Sequence, residues 1–206
     1  MKEYHDIINY QGNIFYTTNT SSHFSFQDTE KCPPESCPAE DAGWSDWRFA
    51  HIMKLRPKSL DLSRFSLADF YRSLDADVLL TEPKNLMVVT PMLSSNFWAR
   101  MSETFYNERT EDYRKILNRK KVGWHEVPMV HTAVLVDLRQ EESDLLTFLP
   151  DNIADYPGPS DDIIVFALSA TLRSLPLHVC KDRYYGSLTL PLEDGQDLQH
   201  DKEVLR

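Results

Sequence analysis

Apolar residues fall in short runs separated by polar stretches, and the runs alternate between helical and strand spacing. Phe49, Ile52 and Met53 lie on one face of a predicted helix that opens at Trp44. Ser45 is suited to cap it, with Trp44 placed to pack on Phe49, and Pro57 is expected to end it. Leu67 to Leu80 reads as a strand, although Arg72 and Ser73 interrupt it where a central parallel strand would be apolar on both faces. Met87-Val88-Val89-Thr90-Pro91 is a more uniform buried run, and Val127 to Arg139 contains a strong strand over Thr132–Leu138. Ser160-Asp161-Asp162 then caps a helix carrying Ile163, Ile164, Phe166, Ala167 and Ala170, and Leu177 to Cys180 closes the pattern as a short strand. Alternating strands and helices predict an α/β fold.

The flanks lack this order. Residues 1–43 read as strand fragments and loops: Ile14-Phe15-Tyr16 is the most strand-like piece, Thr17 to Ser22 a polar turn, and Lys31 to Gly43 an irregular loop with three prolines. Leu145 to Gly158 reads as loop, and the tail from Glu193 is polar. The expected organisation is an irregular amino-terminal segment (1–43), a domain (44–192) and a tail (193–206).

Composition narrows the function classes. With 206 residues the chain suits one sizeable domain, and 41% hydrophobic residues can supply its core. The net charge of -10 disfavours binding to nucleic acid. The 26% of charged residues and the lack of a long apolar run exclude a membrane span. The first residues, Met1-Lys2-Glu3-Tyr4-His5-Asp6, carry no secretory signal, which on its face predicts a cytosolic chain. Against that, Asn19-Thr20-Ser21 is an N-glycosylation sequon, either a chance match or one used in the secretory pathway. Cys32 and Cys37 flank a Pro-Pro-Glu-Ser loop that a disulfide would close in an oxidising lumen, and no second ligand pair matches them at zinc spacing.

The candidate chemistry centres on Asp75-Ala76-Asp77 within Leu74–Leu80. Two carboxylates one residue apart at a strand end place hard oxygen ligands at the rim of a sheet, where α/β folds bind ligands. Mg²⁺ or Mn²⁺ suits one or two carboxylates together with substrate phosphates and water. The alternative is a solvated strand end. Arg114 to Lys121 is basic, either a solvated helix face or a contact for an anionic ligand.

The ordered set of blocks is more specific than any one motif. Trp44-Ser45-Asp46, Arg48-Phe49 and His51-Ile52-Met53-Lys54-Leu55-Arg56 precede Ala68-Asp69 and Leu74-Asp75-Ala76-Asp77. Val88-Val89-Thr90-Pro91-Met92-Leu93, Asn96-Phe97-Trp98 and Val127-Pro128-Met129-Val130-His131 follow, then Asp137-Leu138-Arg139, Asp161 to Ala167 and Val179-Cys180. From Trp44 to Leu192 this order resembles the amino-terminal domain of the procollagen galactosyltransferases, glycosyltransferase family 25, which are grouped with the cerebral endothelial cell adhesion molecule.

The resemblance implies a GT-A-like, Rossmann-like α/β domain with a mixed sheet flanked by helices. That fold would be incomplete on the amino-terminal side, since the family's uridine-binding first strands are not recognisable in residues 1–43. It implies an endoplasmic-reticulum enzyme that moves galactose from UDP-galactose to hydroxylysine of collagen with Mn²⁺ or another divalent cation. Asp75 and Asp77 would hold the metal, with Asp77 the direct ligand and Asp75 reaching the ribose or a metal-bound water. Arg48 and Asp75 would contact the donor. Of Asp161 and Asp162, one would serve as the base and the other as the helix cap, unless both are only helix-start charges. His131 would touch acceptor or phosphate or be a satisfied buried histidine; His200 is the one late histidine available in the tail. Trp44 and Trp98 read as core before sugar platforms. The partners would be a nucleotide sugar, a collagen-like acceptor and, in one version, a full-length homologue. The alternative is a non-catalytic glycosyltransferase-like module acting in adhesion or beside a complete enzyme.

Overall fold

The structure is a computed structural model that describes residues 14–19, 22–26, 46–75, 78–81, 90–93 and 96–188. Helix α1 spans Asp46–Phe65 and passes through Pro57 instead of ending there. A proline inside a helix removes one donor and crowds the preceding turn, at a cost of about 3 kcal/mol. Burial on both sides of Pro57 offsets that cost. Ile52, Leu55 and Leu60 are buried, and Arg56, Ser59 and Ser63 are buried in the same stripe at three- and four-residue spacing. The two hydroxyls enter the core already satisfied, Ser59 Oγ donating to the Arg56 carbonyl and Ser63 Oγ to that of Ser59, both at 2.8 Å.

Among the described residues the main sheet has four strands. Strand β3 (Phe70–Leu74) lies between β1 (Ile14–Asn19) and β8 (Ala133–Asp137), and β2 (Ser22–Phe26) extends the sheet beyond β1. Every pair is antiparallel, with Ile14 opposite Leu74 and Leu74 opposite Ala133 at the end where β3 leaves the sheet. Among the described residues the ladders are thus antiparallel, where a mixed sheet was expected. One parallel link, the bridge between Pro91 and Cys180, lies outside them. The sheet also recruits the antiparallel pair of residues 14–19 and 22–26. A backbone paired on both edges carries β1 through Thr17 and Thr18, residues whose polarity alone suggested a turn.

Two predicted strands are each broken once. The Leu67–Leu80 run divides into β3 and β4 (Val78–Leu80), with Asp75 at the break, and β4 pairs antiparallel with β10 (Gly186–Leu188). The 127–139 run divides into β7 (Met129–Val130) and β8 at Thr132, whose φ of 71° lies in the left-handed region. Two more ribbons lie among the described residues: β5 (Phe97–Trp98) on β7, and β6 (Trp124–Glu126) on β9 (His178–Cys180). The short helix α2 spans Glu111–Leu117, two 3₁₀ turns cover Glu141–Leu145 and Pro150–Asn152, and α3 spans Asp162–Leu172.

The larger core cluster joins Ile52, Leu55 and Leu60 of α1 to Tyr71, Phe97, Phe148 and Phe166, the last two stacked with centroids 4.8 Å apart. A second cluster of Leu93, Ala133, Cys180 and Tyr185 packs with Leu74, Val78 and Leu188. Leu74 and Val78 flank the Asp75 break, so this apolar group anchors the corner on which the candidate site stands.

Candidate active site

Asp75 follows the last residue of β3. Its N–H donates to the Thr132 carbonyl at 2.8 Å, and its own carbonyl accepts from Val78 N–H at 3.2 Å. The backbone of the corner is therefore tied both to the neighbouring β7–β8 connection and to the strand that follows. The Asp75 side chain keeps 16% of its surface exposed.

Arg56 reaches this corner from α1. Its Nη2 donates to Asp75 Oδ1 at 2.7 Å, and its Nη1 donates to Asp162 Oδ2. The guanidinium is enclosed, with side-chain exposures of 4% for Arg56 and 3% for Asp162. Phe148 lies below it, 6.0 Å from ring centroid to guanidinium carbon. Burial works against the charged guanidinium, yet the carboxylates of Asp75 and Asp162 outweigh it and hold Arg56 above its ordinary pKa. Burial pushes the Asp162 carboxyl above the usual carboxylate range, with Arg56 opposing.

The start of α3 separates the duties of its two acidic residues. Asp161 is the N-cap, its Oδ1 accepting from Ile163 N–H at 3.1 Å. Asp162, the first helical residue, points into the protein and meets Arg56. Asp75 and Asp162, both predicted as site residues, are thus brought onto one cation.

Other candidates lie around this arrangement or outside it. His131 is half-buried, with Nδ1 2.7 Å from Thr132 Oγ1, beside the carbonyl that receives Asp75 N–H. Trp98 is half-buried in β5. The basic stretch makes exposed pairs, Lys115 with Glu111 at 3.0 Å and Lys121 with Asp112 at 2.8 Å, the geometry of a solvated helix face. Asp77, Trp44, His200, Cys32 and Cys37 lie outside the described residues, as does the side chain of Arg48.

Sequence reasoning left Arg56 without a role, though one signal marked it. It occupies a core position in the α1 stripe, between Leu55 and the buried Ser59–Leu60 pair. An arginine there requires carboxylate partners. Asn96 was also passed over. It is fully buried, accepting from Leu93 N–H at 2.8 Å and donating to the Pro91 carbonyl at 3.0 Å, and so ties residues 91 and 93 to the start of β5.

Among the described residues, no three His, Cys, Asp or Glu side chains converge into a cation cage. The donor set at the corner suits a divalent ion completed from outside: Asp75 supplies a hard, partly exposed carboxylate, with Oδ1 engaged by Arg56. Such ions are commonly held by one or two carboxylates plus substrate phosphates and water. Among the described residues, no helix is long and apolar enough to cross a membrane.

Comparison with known proteins identifies the scaffold. A "Glycosyltransferase 25 family member" of Aedes aegypti is 43% identical over 179 residues, covering 79% of this chain and 29% of that protein. One from Drosophila pseudoobscura pseudoobscura is 37% identical over 223 residues, covering 96% and 35%. Human procollagen galactosyltransferase 2 is 41% identical over 187 residues, covering 84% and 30%. The chain thus spans about a third of the length of these curated relatives. The family model described as the N-terminal domain of glycosyltransferase family 25 matches residues 13–206. The chain belongs to glycosyltransferase family 25.

Proposed function

We propose that this chain forms the donor-binding portion of a glycosyltransferase that moves galactose from UDP-galactose to hydroxylysine of a collagen-like acceptor in the endoplasmic-reticulum lumen. The observation that carries the reading is the shared contact of Asp75 and Asp162 with Arg56, which puts a donor-side carboxylate and a candidate base beside one another. The match to the family model and the names of the relatives support the reaction class.

A divalent cation such as Mn²⁺, held by Asp75 and Asp77, would supply Lewis-acid stabilisation of the diphosphate leaving group. Asp75 would also reach a ribose hydroxyl, and Arg48 would contact the donor from α1. In the transfer, the bond from the anomeric carbon to UDP breaks and a bond to the acceptor oxygen forms. The acceptor proton passes to Asp162, whose raised pKa favours taking it. Asp161 holds the helix that carries this base.

Asp162 is only 2% exposed and already bonded to Arg56, and this observation favours a second reading. In that reading the pair is structural and the chain is a non-catalytic glycosyltransferase-like module beside a complete enzyme. Calorimetry of the full chain with UDP, with and without Mn²⁺, separates the two. Mn²⁺-dependent UDP binding, together with labelled galactose appearing on a hydroxylysine peptide, supports the enzyme; heat-silent titrations would sink it.

A further inference from the structure

We propose that Arg56 is a positioning residue for the donor site, a fork whose two terminal nitrogens fix the Asp75 carboxylate relative to the amino end of α3. The inference rests on the donor-site reading above. Its geometry is explicit: Nη2 donates to Asp75 Oδ1 at 2.7 Å, and Nη1 donates to Asp162 Oδ2. A planar guanidinium sets the angle between its nitrogens, so two carboxylates bound to it cannot drift independently. A lysine ammonium keeps the charge but loses the fork.

The fork is itself held. Its stem leaves α1 at a buried stripe position, its carbonyl accepts from Ser59 Oγ, and Ser59 Oγ also lies 2.9 Å from Tyr71 Oη on β3. Helix α1, strand β3 and helix α3 therefore meet at this one side chain. Because Arg56 takes Oδ1 of Asp75, a cation or ribose hydroxyl has Oδ2 to use.

A buried ion pair with no such role would affect folding alone, and the test separates the two. Arg56→Lys and Arg56→Gln are made in the full chain. Each is measured for thermal unfolding, for UDP binding by calorimetry with Mn²⁺, and for KM and kcat toward UDP-galactose. Folded Arg56→Lys is expected to weaken UDP–Mn²⁺ binding about tenfold, raise the donor KM in step and lower kcat, with the acceptor KM unchanged. Arg56→Gln is expected to lose more. An Arg56→Lys chain that binds UDP and turns over like the parent overturns the positioning role while leaving the donor site standing. If the parent binds no UDP, the donor site and this role fall together. If neither variant folds, Arg56 is a structural residue and the proposal is overturned.

Discussion

Asp75 and Asp162 accept hydrogen bonds from different nitrogens of the same buried guanidinium, one at the end of β3 and the other at the start of α3. The contact spans 19 residues of sequence on one side and 106 on the other. A strand end and a helix start so far apart are joined by one side chain, and the variants below probe each end of that link.

Asp77→Asn is expected to weaken Mn²⁺-dependent UDP binding by at least tenfold, since a carboxylate ligand is lost. Asp162→Asn is expected to leave UDP binding within about twofold and to reduce transfer by at least 100-fold, the scale of a lost general base. Calorimetry and a galactose-transfer assay on the same preparations check both. An Asp77→Asn chain that binds UDP–Mn²⁺ like the parent would remove its metal role, and an Asp162→Asn chain that transfers galactose like the parent would remove the base role.

Thr132 carries a β-branched side chain at φ 71°, and its carbonyl receives Asp75 N–H. Left-handed backbone costs such a residue on the order of 1–3 kcal/mol. Thr132→Asn, which tolerates this conformation, should raise stability by about 1 kcal/mol in urea unfolding and leave UDP binding unchanged. A loss of stability would mean that the hydroxyl contact with His131 outweighs the strain.

Lys181 is buried, and its Nζ donates to the Leu117 carbonyl at the end of α2. Burial, aided by the nearby Arg119 charge, holds its pKa down to about 8. The folded value lies below the unfolded one, so between about pH 8 and 10 the unfolded chain holds more of this proton. This residue's contribution to stability therefore rises with pH across that window. Urea unfolding of the parent minus that of Lys181→Met should show the rise, and a flat difference would contradict it.

Pro57→Ala restores a missing helix donor in the middle of α1. It should stabilise the chain by about 1–2 kcal/mol, less than the full cost of a helical proline because the unfolded chain gains freedom. Differential scanning calorimetry measures this directly, and a lower melting temperature would show that Pro57 is better accommodated than a generic helix interior allows.

The helix starting at Asp162 was legible because its signals are local: a capping aspartate, then apolar residues at helical spacing. The strand runs around Asp75 and Thr132 were legible as apolar stretches, but their breaks were not. Backbone φ at Thr132 and pairing with residues 186–188 are set by distant partners that no window contains. Pro57 misled for the opposite reason: a strong local rule was overridden by tertiary burial of the turns on either side. The Asp-x-Asp spacing pointed to Asp75, and the acidic helix start, read with the family resemblance, to the pair Asp161–Asp162. Their division into cap and buried partner became visible only with Arg56 in place.

The Asp75 corner is held between β3, which pairs with residues 133–137, and β4, which pairs with residues 186–188. During synthesis from the amino terminus, β3 has β1 beside it at once, but residues 133–137 and 186–188 emerge only much later. Helix α1 can form early from its own residues, but Arg56 then waits with a buried-type charge and no Asp162. Closing such long loops is slow because their entropy is lost before contacts reward it. The corner should therefore be late to assemble within this domain, exposing an apolar stripe and an arginine without its Asp162 partner until residues 162–188 have emerged. That interval is where a nascent chain of this kind most needs protection from aggregation.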